Sequence, residues 1–358
     1  MSQKINKFYQ NYFIELAFKL AKINKYKTGE NPSVGCVLTN FNNEILSTGI
    51  TSVDGRPHAE SNALDKILKN KNNKKKRLFV TLEPCSHYGQ TPPCVHLIKD
   101  KNVNEVYFSN FDKNPIVYRR GYLFLKKNKI KTLLVKRNNK FYYKYEYSLK
   151  NKIPFVSAKL AITKKFHTNI YGKKYFTNSK SLKFSHLLRY FNDSILVGKN
   201  TFLKDSPKLN CRIEGLKNYS PKIFIINKNL DIKMKNLKFN SNKINIFHSC
   251  DDKNKILKYK KYFNLIKLKA NDGFIEPIEI LKNIYQLGSR RLLIEGGVKT
   301  LKAFQKKKLI NKNYIIKTTQ DMGNSHNSAK PYIEKAFKHA LAKYKVDINL
   351  DDNALFIK

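Results

Sequence analysis

The 358-residue sequence has no tryptophan, three methionines, and 26 acidic residues against 71 basic ones. No site can therefore use an indole ring, and carboxylates for catalysis are few enough to be weighed one by one. No run of about 18 apolar residues occurs, which excludes a transmembrane helix. Met1-Ser2-Gln3-Lys4 leads into a mixture of Phe, Tyr and Lys instead of an apolar core, so no secretory leader is expected. The five cysteines, Cys36, Cys85, Cys94, Cys211 and Cys250, are odd in number. A disulfide framework is not expected, and a reducing cytoplasm fits. Gly-x-Gly-x-x-Gly is also missing, and with it the usual dinucleotide fingerprint.

What is present is enough for two domains of ordinary size, with 41% hydrophobic residues to build their cores. The net charge of +45 by itself suggests nucleic acid or an anionic surface. Lysine is spread along the whole chain, however, and Asn and Ile are abundant with it, which is the pattern of codon bias in an AT-rich genome. Neither a nucleic-acid nor a membrane partner is expected. A basic surface still favours phosphorylated small substrates. The sequence specifies no oligomeric state, and a homo-oligomer remains open.

One constellation carries chemistry. Pro57-His58-Ala59-Glu60 is followed by Thr81-Leu82-Glu83-Pro84-Cys85-Ser86-His87-Tyr88-Gly89-Gln90-Thr91-Pro92-Pro93-Cys94. A lone His is usually a surface or packed residue, and a lone Cys a small buried hydrophobe. Four such residues in order are harder to dismiss. One imidazole and two thiolates suit tetrahedral zinc with its fourth position left for water, whose pKa the metal lowers to about 7. Proton transfer then needs a group that is not a ligand, and Glu60 stands where one would. His-x-Glu with Pro-Cys and a second Cys is the pattern of zinc-dependent base deaminases. Those acting on nucleic acids place two residues between the cysteines; here there are eight.

Around this motif the chain alternates helices and strands. Spacings of three and four among Phe8, Tyr12, Phe13, Leu16, Leu20 and Ala21 predict a helix over 7–24. Strands are expected at 33–39 and 44–49, with Asn31-Pro32 before the first. His58 opens a helix to about 68. Residues two apart do not share a helix face, so His58 and Glu60 converge only near a helix start. A basic, solvated loop is expected over 69–77, a strand over 78–82, a helix over 94–101, a strand over 106–110, a helix over 122–127 and a strand over 131–135. This predicts a three-layer α/β domain. Residues 137–152 read as a helical connection, and a second domain begins near 150.

In the second domain a strand at 154–160 contains Lys159. Arg189 precedes Ile195-Leu196-Val197-Gly198, Thr201, Asp205, Pro207, Leu209 and Arg212. Further strands are expected at 222–227 and 244–248. Arg291-Leu292-Leu293-Ile294-Glu295-Gly296-Gly297 reads as a buried strand ending in a turn from which a helix starts at once. Such a helix start can receive a phosphate.

Together these motifs resemble the bifunctional deaminase–reductase family of riboflavin biosynthesis. The resemblance covers nearly the whole chain. It implies a cytidine-deaminase-like three-layer α/β/α domain at 1–150 and a dihydrofolate-reductase-like α/β domain at 151–358. It implies two activities: deamination of 2,5-diamino-6-(5-phosphoribosylamino)pyrimidin-4-one, then NADPH reduction of the ribosyl side chain. His58, Cys85 and Cys94 would hold zinc, with Glu60 catalytic. Asn31, Asp112 and Asn114 would contact the first substrate, and Lys159, Arg189, Leu209, Arg212 and Glu295 the second. Ala161, Tyr175, Thr201, Asp205, Gly297, Val298, Lys299, Thr300 and Leu301 would contact NADPH.

The chain also departs from that family. Thr51 replaces a His and Gln90 replaces a Lys or Arg. Lys113 stands in place of Pro, and Tyr175 in place of Trp. The Leu-Asp-Gly turn after the Lys159 strand is absent, and Ile316–Gly323 replaces a Pro-Lys-Leu-x-Gly segment. A second reading is thus an active deaminase joined to a reductase-like domain of weakened or lost activity. A third, prompted by charge alone, is a nucleic-acid deaminase or RNA-binding protein.

Overall fold

A computed structural model describes residues 5–66, 75–89, 91–137, 140–168, 177–205, 208–232, 244–271, 273–320 and 328–358. Gln90, Tyr175, residues 321–323 of the late segment and the expected helix end at 67–68 lie outside the described residues, as do the side chain of Asp205 and most of the expected basic loop. The chain divides into two compact units, Met1–Lys150 and Asn151–Lys358.

The first unit is built on a five-stranded sheet. Strands β1 (Gly35–Asn40), β2 (Ile45–Ile50), β3 (Lys76–Val80), β4 (Glu105–Phe108) and β5 (Lys131–Leu134) lie in the order β2-β1-β3-β4-β5. β1 is antiparallel to β2 and β3, while β3, β4 and β5 run parallel. Two glycines set the layers. A Cβ on Gly35 would lie 1.9 Å from the Ala17 carbonyl in helix α1 (Lys7–Ile23), and one on Gly49 would lie 1.9 Å from the Ala59 carbonyl in helix α2 (Ala59–Leu64). Gly49 pairs with Cys36, the neighbour of Gly35. Paired residues share a face and sequence neighbours alternate, so α1 and α2 cover opposite faces. The result is three layers. Helices α3 (Cys94–Asp100), α4 (Arg120–Lys127) and α5 (Tyr143–Asn151) complete the run.

The expected solvated loop at 69–77 needs correction at its end. Lys76 and Arg77 begin β3 and are buried. A charge can be buried there because Arg77 Nε donates to Glu105 Oε2 at 2.9 Å, Lys131 Nζ donates to Oε1 at 2.8 Å, and Tyr107 donates to Oε2 at 2.6 Å. The Arg77 guanidinium also lies 3.9 Å from the Phe41 ring centroid. These partners lie on other strands and on the hairpin, so local composition does not reveal them.

The second unit contains a nine-stranded sheet. It comprises β6 (Phe155–Ile162), β7 (Ser194–Gly198), β8 (Lys222–Ile226), β9 (Ile244–His248), β10 (Asn264–Lys267), β13 (Arg291–Glu295), β14 (Lys312–Lys317), β15 (Lys345–Leu350) and β16 (Asn353–Ile357). A short hairpin, β11 (Ala270–Asn271) and β12 (Phe274–Ile275), stands apart from it. The order β10-β9-β8-β7-β13-β6-β14-β16-β15 places β13 between β7 and β6, and these central strands run parallel. Their carboxyl ends therefore open on one side of the sheet, where open α/β folds bind ligands. Helices α6 (Ser179–Tyr190), α7 (Lys199–Asp205), α8 (Lys253–Lys260), α9 (Pro277–Gln286), α10 (Val298–Lys306) and α11 (Lys330–Phe337) connect the strands.

Candidate active sites

His58 is the N-cap of α2, with extended backbone at φ −70° and ψ 163°. It enters from outside the helix, while Glu60 sits in the first turn and is buried. This is how residues two apart reach one point. The packing of Ala59 against Gly49 locks that helix start onto the sheet. Cys94 is the first residue of α3, and its N–H donates to Cys85 Sγ at 3.4 Å. Cys85 itself lies on the segment that follows β3.

His58 Nδ1 lies 3.3 Å from Cys94 Sγ and 3.5 Å from Cys85 Sγ. Tetrahedral zinc with Zn–N near 2.0 Å and Zn–S near 2.3 Å requires ligand–ligand separations of roughly 3.5 Å. The donor set fits zinc. Among the described residues these three form the cluster of metal-ligating type, with ligand atoms within 4.8 Å of one another. Burial pushes the Glu60 carboxyl up to about 7, against the opposing pull of His58.

A carboxylate that the sequence reading gave no role anchors the cysteine segment. Glu83 is buried and accepts from the N–H groups of Arg119 and Tyr122, both at 3.0 Å, at the start of α4. A carboxylate is favoured at a helix N-terminus. Gly121 allows the approach: a Cβ there would lie 2.0 Å from the Pro84 carbonyl. Pro84 precedes Cys85, so α4 holds the thiol segment in place. Arg56 Nη1 donates to Thr91 at 2.7 Å and ties the His58 turn to the loop before Cys94.

Asn31 Nδ2 donates to the Gly55 carbonyl at 3.2 Å, beside the same turn. Asp112 is buried, accepts from the Asn114 N–H at 2.8 Å and from Tyr145 at 3.3 Å, and burial raises its carboxyl to about 6. Asn114 accepts from the Ile116 N–H at 3.2 Å. The buried Thr51 hydroxyl accepts from the Val34 N–H at 2.9 Å. It is part of the wall of the fold.

In the second unit, Glu295 ends β13 beside Lys159, its register partner on β6. Arg189 on α6 clasps Glu295 with Nε to Oε1 at 3.0 Å and Nη2 to Oε2 at 2.7 Å, and gives Nη1 to the Asn210 carbonyl at 3.1 Å. Burial opposes ionisation of Glu295, but Arg189 and Lys159 outweigh it and hold its carboxyl below the usual range. The resemblance implies that Arg189 and Glu295 both contact the second substrate; in the fold the Arg189 guanidinium fork engages Glu295. Leu209 is buried with φ +51°, and Arg212 is exposed.

The Gly-Gly turn also takes shape. Gly297 is the N-cap of α10, and its N–H donates to the Thr201 hydroxyl at 2.9 Å. Val298 and Lys299 follow in the first turn, where N–H groups lack helical partners. A Cβ on Gly198 would lie 2.7 Å from Thr300 Oγ1, so β7 and α10 meet closely. A cradle of bare backbone and hydroxyls fits a dinucleotide phosphate. Leu301 is fully buried. Ala161 lies near the end of β6, paired with Ile316 of β14. Asp205 ends α7.

The fold and these two centres define a zinc-dependent deaminase joined to an NADPH-dependent reductase. Residues 9–110 match the cytidine and deoxycytidylate deaminase zinc-binding region, and residues 163–326 match the RibD C-terminal domain. The riboflavin biosynthesis protein RibD of Aquifex aeolicus is 30% identical over 360 residues, covering 97% of each chain. The diaminohydroxyphosphoribosylamino-pyrimidine deaminase of Buchnera aphidicola from Acyrthosiphon pisum is 39% identical over 135 residues, 37% of this chain and 90% of that one. Acinetobacter baumannii RibD superposes with a TM-score of 0.82 at 22% identity, covering 98% of both chains. The deaminase/reductase of Thermotoga maritima gives 0.80 at 23%, with the same coverage. The chain belongs to the RibD family of riboflavin biosynthesis proteins.

Proposed function

We propose that the chain performs two consecutive steps: hydrolytic deamination of 2,5-diamino-6-(5-phosphoribosylamino)pyrimidin-4-one, then reduction of its ribosylamino group to ribitylamino. The observation that carries this reading is the cluster of His58, Cys85 and Cys94, with buried Glu60 two residues after the histidine, in a chain related along its length to RibD.

In the first step His58, Cys85 and Cys94 hold zinc, which when bound makes water nucleophilic near neutral pH. Glu60, which is outside the ligand cluster, takes the proton from the attacking water. It gives that proton to the ring nitrogen, then carries the second proton from the newly added hydroxyl to the departing amine, which leaves as ammonia. Asn31 orients the base, and Asp112 and Asn114 the ribose phosphate. Arg56 supports the loop that closes beside them.

NADPH supplies the hydride for C1′ in the second step. Thr201, Asp205, Ala161 and Tyr175 contact the cofactor, and the Gly297, Val298, Lys299, Thr300 and Leu301 turn receives its phosphate. Lys159 and Glu295 orient the ribosylamine, with Leu209 packing on it and Arg212 on its phosphate. Positioning supplies most of the catalysis. Five free cysteines fit a reducing cytoplasm.

The test is one series on purified protein: zinc content, ammonia release, then NADPH oxidation with the deaminated product. Zinc near one per chain and both activities are expected. Ammonia release without NADPH oxidation would favour the weakened-reductase reading. Salt-dependent RNA binding with neither activity would sink the proposal.

A further inference from the structure

Helix α6 carries His186 and Arg189 three residues apart, on one face. The buried His186 ring has two partners. Its Nδ1 lies 3.1 Å from the Asn210 carbonyl oxygen, and its Nε2 lies 3.2 Å from Arg212 Nε. A carbonyl can only accept, and a guanidinium N–H can only donate. Both contacts are hydrogen bonds only if Nδ1 carries the proton and Nε2 offers its lone pair. One neutral tautomer satisfies them; the imidazolium and the other tautomer each break the Arg212 bond.

The consequence falls on Arg212. Arg189 is clasped by Glu295 and the Asn210 carbonyl, so its orientation is set from β13. Arg212 lies three residues after Leu209 and is itself exposed. His186 accepts its Nε–H and so aims the exposed end of that guanidinium. We propose that His186 is a positioning residue of the reductase, holding Arg212 toward the substrate's phosphate in its neutral, Nδ1-protonated form. This rests on the reductase reading above and adds a residue and a pH dependence to it.

The groups facing the ring support the neutral state. Burial comes first, followed by the positive charges of Arg189 and Arg212; together they hold the imidazole below its usual range against the Asn210 carbonyl and Glu295. As pH falls through that lowered value, Nε2 gains a proton and turns a donor on Arg212. The guanidinium swings away, and the KM for phosphorylated substrate rises on the acid side while KM for NADPH does not.

Steady-state NADPH oxidation with the deaminated, phosphorylated substrate, followed between about pH 5 and 8 across the imidazole range, tests this. His186→Leu should raise substrate KM about tenfold with kcat little changed, the effect of one lost charge-assisted hydrogen bond. His186→Gln can donate to Asn210 and accept from Arg212 without titrating. It should restore the neutral-pH KM and abolish the acid rise. An unchanged KM in His186→Leu overturns the inference. So does an acid rise that persists in His186→Gln, which would belong to the substrate's own phosphate, or a shift in NADPH KM instead. Nitrogen-15 NMR of the ring needs no turnover. A protonated Nδ1 and bare Nε2 at neutral pH are expected. The opposite tautomer or an imidazolium sinks the inference even if the reductase reading itself fails for want of any NADPH oxidation.

Discussion

Arg189 and Glu295 meet through two parallel hydrogen bonds, 3.0 and 2.7 Å long, with both side chains 11% exposed. They come from α6 and the end of β13, 106 residues apart in sequence. Such a fork-to-fork pair fixes direction as well as charge.

Breaking it should be costly on both counts. Arg189→Met leaves Glu295 buried without its main counter-charge, and loss of one partner of a buried pair costs roughly 3–5 kcal/mol. Lower melting and loss of NADPH oxidation are expected. Adding Glu295→Gln should recover much of the stability but not the activity. A double-mutant cycle by thermal melting and NADPH assay measures the coupling; additive effects would count against the pair.

Glu60→Gln keeps the shape and removes the proposed proton carrier. Ammonia release should fall by roughly 10²–10⁴-fold, the usual contribution of positioned acid–base catalysis. Zinc content by metal analysis should stay near one per chain, because Glu60 is not among the ligating atoms. Full ammonia release in this variant would refute the assigned role.

Chelation should separate the two activities. The zinc donors lie in the first unit, and Lys159, Arg189 and Glu295 in the second. Removing zinc should abolish ammonia release while NADPH oxidation with pre-deaminated substrate persists. Restored ammonia release on adding zinc back checks that the fold survived.

Gly121→Ala tests the anchor of the thiol segment. The new methyl group would meet a backbone oxygen, which cannot swing aside. A loss of about 1–3 kcal/mol in denaturant titration is expected, as for other overpacked sites. Zinc retention should fall with it, since Pro84 adjoins Cys85.

Glu105 sets an acid limit on the first unit. Burial opposes its ionisation, but Lys131, Tyr107 and Arg77 outweigh it and hold the carboxyl below the usual range. A carboxylate depressed in this way contributes stability that is present above the unfolded value of about 4.3 and is lost as pH falls through its folded value. Glu105→Gln should lower the melting temperature at neutral pH and flatten its fall toward acid. An unchanged acid profile would remove Glu105 from the account.

The candidate metal ligands and the proposed proton carrier were legible in the sequence because their spacing is local. His58 and Glu60 needed only a helix start, and Gly55-Arg56-Pro57 announces one. The length of the Cys85–Cys94 loop separated this family from nucleic-acid deaminases for the same reason: loop length is read directly. The turn at Glu295-Gly296-Gly297 was equally visible, because a strand, two glycines and a helix are contiguous.

Other features depend on partners that sequence order does not bring together. Arg77 looked like part of a solvated basic loop until Glu105, Tyr107 and Phe41 converged on it. Glu83 and Gly121 acquired meaning only when α4 docked on the cysteine segment. His186 gave one usable signal, its three-residue spacing from Arg189, but its tautomer depends on Asn210 and Arg212 across the fold. Short-range spacing thus determined which groups can bind metal and move protons. Tertiary packing decided which charges may be buried, because burial tolerates a charge only where distant chain segments supply its counterpart.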